Sequence, residues 1–223
     1  TVFVLQKNEV DVVCVEGLKC CGMPAWEHGD LDKVRAWAHE NLNILMPLVE
    51  KGAKVLGLNP TCSMMMRQEW PELLEGEDRE RAKKLSEAVM EAPEFLWGIR
   101  KEERFNKDFQ STPGVKVAYH APCHQRVQNI GPKTKDILEL IPNTNITLIE
   151  RCSGHNGTYA VKSEYHEISM KICKPVISKI ETSNVDHYIS DCPMAGHQID
   201  NGVQNIEVRS ESPFTLLREA YGI

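Results

Sequence analysis

Ile146-Thr-Leu-Ile149-Glu-Arg-Cys152-Ser-Gly154 is the stretch on which the fold turns. A short aliphatic and β-branched run reads as a strand, and it stops at a cysteine and a glycine. A helical pattern follows over 163–181, then an apolar run over 185–190, then Asp191-Cys192-Pro193. Strand, cysteine turn, helix, strand and cysteine turn in this order read as a parallel β-α-β unit.

The same succession stands earlier in the chain. Val10-Asp-Val-Val-Cys-Val15 reads as a strand and precedes Lys19-Cys20-Cys21-Gly22. A helical pattern over 30–51 leads to an apolar strand over 55–58 and to Asn59-Pro-Thr-Cys62. Cys20 and Cys62 lie 42 positions apart, Cys152 and Cys192 40 apart. Similar motifs at nearly equal spacing point to a tandem duplication. The halves fall at 1–73 and 113–223, joined by a densely charged helical connector over 74–112 that breaks near Pro93.

The second half opens with an extra unit: a strand Val115-Lys-Val-Ala-Tyr119, the turn His120-Ala-Pro-Cys123-His124, and a helix over 132–141 begun by Pro132. Its counterpart in the first half would fall before Thr1, so the first half reads as N-terminally incomplete. A strand over 206–208 and a helix capped by Ser212 close the chain. The expected fold is α/β: two tandem, pseudo-symmetric Rossmann-like halves with parallel sheets and cysteines at the C-terminal ends of strands. That edge of a parallel sheet is where ligands bind.

Composition narrows the function. Among 223 residues, 26 Lys and Arg stand against 32 Asp and Glu, a net charge of −6. This argues against a nucleic-acid partner, which wants a basic surface. The longest uncharged apolar stretch, 42–49, is far short of the roughly 20 residues of a membrane span. Charged residues follow the first five positions at once, so the opening stretch is not expected to be a secretory signal. A cytoplasmic, reducing setting is expected, where cysteines serve as metal ligands or redox groups more often than as disulfides.

The second half would gather Cys123, Cys152 and Cys192, and the first Cys20, Cys21 and Cys62. Thiolates are soft ligands for zinc, copper(I) or iron–sulfur clusters. His155 and His124 are candidate nitrogen ligands beside them, with His120 a weaker one. Cys14, inside a strand, and Cys173, mid-helix, read as small buried apolar residues, and Met64-Met65-Met66 as packing. No serine triad, phosphate loop or dinucleotide glycine fingerprint is present, and no catalytic residue is assigned.

Cys20-Cys21-Gly22-Met23-Pro24, Thr61-Cys62-Ser63, Tyr119-His120-Ala-Pro-Cys123-His124, Cys152-Ser153-Gly154-His155 and Asp191-Cys192-Pro193 together resemble the cysteine-rich CCG-domain family. Its members include the B subunit of heterodisulfide reductase and the iron–sulfur subunits of glycolate oxidase and anaerobic glycerol-3-phosphate dehydrogenase. The resemblance runs in order along nearly the whole chain and implies one or two 4Fe-4S clusters, with zinc as the alternative in one half. It also implies flavoprotein or other redox subunits as partners, electrons passing towards quinone or another acceptor, and membrane contact only through a partner, at the inner face. Three positions depart from the family pattern: Ser153 replaces the second cysteine of CCG, and Met65 and Ala195 replace the last cysteine of CxxC. Two other functions fit the residues: a zinc-binding structural domain, and a thiol or disulfide reductase acting at a cluster or a cysteine pair.

Overall fold

The computed structural model describes residues 1–112, 116–204 and 206–223. Helix α1 (Val2–Lys7) opens the chain. Val13–Ala92 forms one compact unit. It contains α2 (Met23–Glu27), α3 (Leu31–Val49), β1 (Val55–Gly57), α4 (Pro60–Met64), a π-helical turn (Met65–Glu69), α5 (Trp70–Leu73), α6 (Gly76–Ser86) and β2 (Val89–Glu91). Thr1–Val12 and Pro93–Ile223 form the other unit. Its further elements are α7 (Ala92–Ile99, from Pro93 on), β3 (Lys116–His120), α8 (Cys123–Arg126), α9 (Lys133–Leu138), β4 (Asn145–Ile149), α10 (His166–Thr182), β5 (His187–Ser190), α11 (Pro193–Asp200), β6 (Ser210–Glu211) and α12 (Pro213–Ala220).

In the first of these units, the Asp30 side chain caps α3 by accepting from the Lys33 amide at 3.2 Å. Val34, Ala38, Leu42 and Leu45 are spaced by three or four residues and are all buried. They pack with Met64, Met65, Met66 and Trp70. The methionine run is therefore core, as its sequence suggests. β1 and β2 pair in parallel.

The other unit holds a parallel four-stranded sheet in the order β4-β3-β5-β6. The chain fills it from the centre: β3 comes first, β4 joins one side and β5 the other. Side chains alternate across the sheet. On one face Ala118, Ile149 and Tyr188 pack against Cys173, Val176, Ile177 and Ile180 of α10. On the other, Tyr119 reaches Asp191, which also bonds Thr134 of α9. The helices after β3 and β4 thus lie on opposite faces, and the crevice between β3 and β5 is the switch point at which α/β sheets bind ligands.

The two ends of the sequence meet in this unit. Asn8 donates to Val4 O at 2.8 Å and accepts from the Asn106 amide at 2.8 Å. Tyr221 of the C-terminal segment donates to Asn106 O at 2.9 Å and lies within hydrogen-bond reach of Asn8.

Several sequence expectations are corrected. Val10–Val15 forms no strand: Val13 is 69% exposed and Cys14 is exposed, so Cys14 is not a buried strand residue. A strand needs a ladder partner for its backbone groups, and this segment has none among the described residues. The stretch 75–109 is more than a solvated connector. Its β2 extends the sheet of β1, and Ala82, Leu85 and Val89 belong to that core. The helical stretch does break just before Pro93: α6 ends at Ser86 and α7 begins at Ala92, with Pro93 in its first turn, where a missing N–H costs little. The last strand lies at Ser210–Glu211 rather than 206–208, while Ile206 and Val208 pack against the α10 core. Val115, expected in a strand, lies outside the described residues.

Candidate metal centre

Cys152, Cys123 and Cys192 follow β4, β3 and β5, three neighbouring parallel strands, by three, three and two residues. Cys123 opens α8 behind the buried Pro122 and is exposed. The Arg126 guanidinium, one turn on, lies 3.5 Å from its sulfur. Cys192 is the N-cap of α11, and Pro193 at the first helical position fixes the turn. Burial pushes the Cys192 thiol above its ordinary pKa, and Asp191 and Cys123 add to this, against the backbone N–H groups of Ala195 and Met194. Cys123 and Cys192 are thus electrostatic neighbours at the switch point.

The Cys152 turn is held on both sides. The Gly154 amide donates to the Cys152 sulfur at 3.3 Å, and Gly154 O accepts from Ser169 Oγ at 2.8 Å. Ser169 in turn accepts from Gln198 of α11. On the other side, Arg151 O accepts from His120 Nε2 at 2.9 Å. Burial lowers the His120 pKa, so the ring is neutral and spent on hydrogen bonds, not offered to a metal. Cys152 neighbours Cys173, whose thiol is pushed up to about 12 chiefly by burial, as suits a structural cysteine.

Asp191 anchors the Cys192 turn. Thr134 Oγ1, Gln125 Nε2 and Tyr119 Oη approach its carboxyl at 2.8, 2.8 and 2.6 Å, and Tyr119 Oη also meets Gln125 Oε1. Burial pushes the Asp191 carboxyl above the usual carboxylate range, against the hydrogen bonds from Tyr119, Thr134 and Gln125, which favour its charged form. Sequence reading missed this network. Its only local signal is an acidic residue directly before a cysteine.

In the unit Val13–Ala92, Cys21 neighbours both Cys62 and Cys20. Cys21 hydrogen-bonds Cys62, and this bond, with burial and repulsion from Cys62, drives its thiol pKa far above the ordinary value. Cys20 lies beside Cys21, and the Gly22 amide donates to the Cys20 sulfur at 3.5 Å. Trp70 Nε1 clamps Cys21 O at 3.0 Å. Cys62 sits in α4, begun by the Asn59 cap on the Thr61 amide at 2.9 Å and by Pro60. Ser63, next in line, keeps a buried hydroxyl with no hydrogen-bond partner among the described residues. Its Oγ fills the space where a Cβ on Gly57 would stand. Ser63→Ala should therefore stabilise the metal-free protein by about 1 kcal/mol, read by urea unfolding with a chelator present.

Among the described residues, no three His, Cys, Asp or Glu side chains converge as a ready metal-holding group. His124 and His155 are half-buried beside Cys123 and Gly154. The donors are nonetheless almost all soft sulfur, with amides aimed at Cys20 and Cys152. That chemistry fits a thiophilic metal or cluster. No helix among the described residues is long and apolar enough to cross a membrane.

A family profile described as a cysteine-rich domain, CCG, matches residues 1–67 and 117–200. The C subunit of anaerobic glycerol-3-phosphate dehydrogenase from Escherichia coli K12 is 32% identical over 204 residues, covering 91% of this chain and 49% of its own length. The chain thus spans about half of that relative. Lactate utilization protein A of Geobacillus sp. WCH70 is 28% identical over 204 residues, covering 86% of this chain and 79% of its own. The protein of that name from Bacillus velezensis is 23% identical over 218 residues, covering 93% and 87%.

Proposed function

The chain belongs to the cysteine-rich CCG-domain family, and on that premise we propose that it is an iron–sulfur electron-transfer subunit of a multi-subunit oxidoreductase. The observation that carries the reading is the succession of Cys152, Cys123 and Cys192 behind three neighbouring parallel strands. These thiolates would hold one 4Fe-4S cluster, with His155 or His124 as a fourth ligand. Cys20, Cys21 and Cys62 would hold a second cluster or zinc in the other of two duplicated halves.

A bound cluster supplies reversible one-electron transfer. The chain's own residues set its charge balance. The Gly154 and Gly22 amides, the start of α11 and Arg126 place positive partial or full charge at the sulfurs. Each favours the more negative, reduced state and raises the potential. The electron donor would be a flavoprotein dehydrogenase for a small hydroxy compound. Two relatives named for glycerol 3-phosphate and lactate support that class. The acceptor would be quinone or another redox chain, with membrane contact made through the partner.

Metal and acid-labile sulfide analysis with EPR, on protein purified without oxygen, tests this. About four irons and four sulfides per occupied site are expected, with loss of the signal in Cys123→Ser, Cys152→Ser or Cys192→Ser. Zinc without sulfide would overturn the reading in favour of a zinc domain. Metal-free protein that turns over a small disulfide would overturn it in favour of thiol chemistry.

A further inference from the structure

We infer that His120 is a positioning residue that sets the spacing between the turns carrying Cys152 and Cys192, an inference resting on the reading of those thiols as the metal-binding set. His120 is the last residue of β3, the central strand, and is buried. In register it faces Ile149 on one side and Ser190 on the other. Its ring reaches both ways: Nε2 is 2.9 Å from Arg151 O and Nδ1 is 3.1 Å from Ser190 Oγ.

Donor and acceptor chemistry leaves one arrangement. A carbonyl only accepts, so Nε2 carries the hydrogen. In the neutral ring Nδ1 then accepts, and the Ser190 hydroxyl must donate to it. The Ser190 oxygen is left to accept the Cys192 amide, 3.3 Å away. One imidazole therefore orders a continuous chain of hydrogen bonds, from the carbonyl before Cys152 to the amide of Cys192. It spans three strand ends that are far apart in sequence. The planar ring holds its two polar atoms at a fixed separation, so it acts as a spacer, and a planar side-chain amide offers one donor and one acceptor at a similar separation.

The test uses the full chain, reduced and metal-free, with dibromobimane as the probe. This reagent becomes fluorescent when it bridges two nearby thiols, and peptide mass mapping locates the bridge. Wild-type protein is expected to bridge Cys192 to Cys123 or Cys152. His120→Leu should slow that bridging by at least about tenfold, since small misplacements of reacting groups are expensive. Single-thiol alkylation by iodoacetamide should stay unchanged. His120→Gln should restore bridging, because an amide can donate to Arg151 O and accept from Ser190. Should His120→Leu not fold, Ser190→Ala cuts only the Cys192 end and should slow bridges that include Cys192. Wild-type rates in folded His120→Leu or Ser190→Ala, no rescue by His120→Gln, or no bridge to Cys192 in wild type would overturn the inference. The readout involves no iron. A protein that fails to take up iron but shows the bridging defect refutes the cofactor and keeps the spacer.

Discussion

Gly154→Ala should destabilise its unit by about 4 kcal/mol and lower the melting temperature by about 10 °C. Two costs combine. Gly154 has φ +76, in the left-handed region, where a side chain adds about 1–2 kcal/mol. A Cβ there would also stand 2.2 Å from Ser169 O, a backbone atom of α10 that cannot swing away. Relief would push the Cys152 turn off α10 and break the Ser169 bond to Gly154 O. Gly52 gives the control. Its φ is +93, but nothing lies within 4 Å of an added Cβ. Gly52→Ala should cost about 1 kcal/mol. Thermal unfolding of the two variants separates clash from strain. Equal losses would mean that the contact with α10 contributes nothing.

Asp191→Ala should cost about 3–5 kcal/mol, because it strips partners from Tyr119, Gln125 and Thr134 together. Each buried polar group left unmet carries its own desolvation penalty. Asp191→Asn keeps an oxygen for Thr134 and should lose only about 1–2 kcal/mol. Urea midpoints at constant m-value measure both. An Ala variant no worse than the Asn variant would show that water replaces the carboxyl freely.

The α/β class with parallel strands was legible because α3 and α10 carry unbroken apolar periodicity and β4 and β5 are compact apolar runs. What failed was what depends on distant pairing. Val10–Val15 has strand composition, yet a strand exists only where another offers a ladder, and no local pattern reveals that. The reverse holds for Val89–Glu91, which becomes a strand because Val55–Gly57 lies beside it. The site divides in the same way. The sequence names every cysteine but does not say that Cys152 neighbours Cys173 or that Cys21 bonds Cys62. Nor could it assign His120. A histidine before a cysteine turn looks like a ligand until both ring nitrogens are seen to be engaged. The Asp191 network is hidden for a simple reason: Tyr119 and Thr134 are 72 and 57 positions away in sequence.

The meeting of Asn8 with Tyr221 has a consequence for synthesis. The unit Val13–Ala92 is one unbroken stretch of chain, whereas the other needs both Thr1–Val12 and residues as late as α12. Translation delivers the continuous unit whole, so it can fold while the ribosome is still working. The discontinuous unit must wait, because Asn8 emerges early and Tyr221 follows 213 positions behind it. Until then its apolar surface stays open.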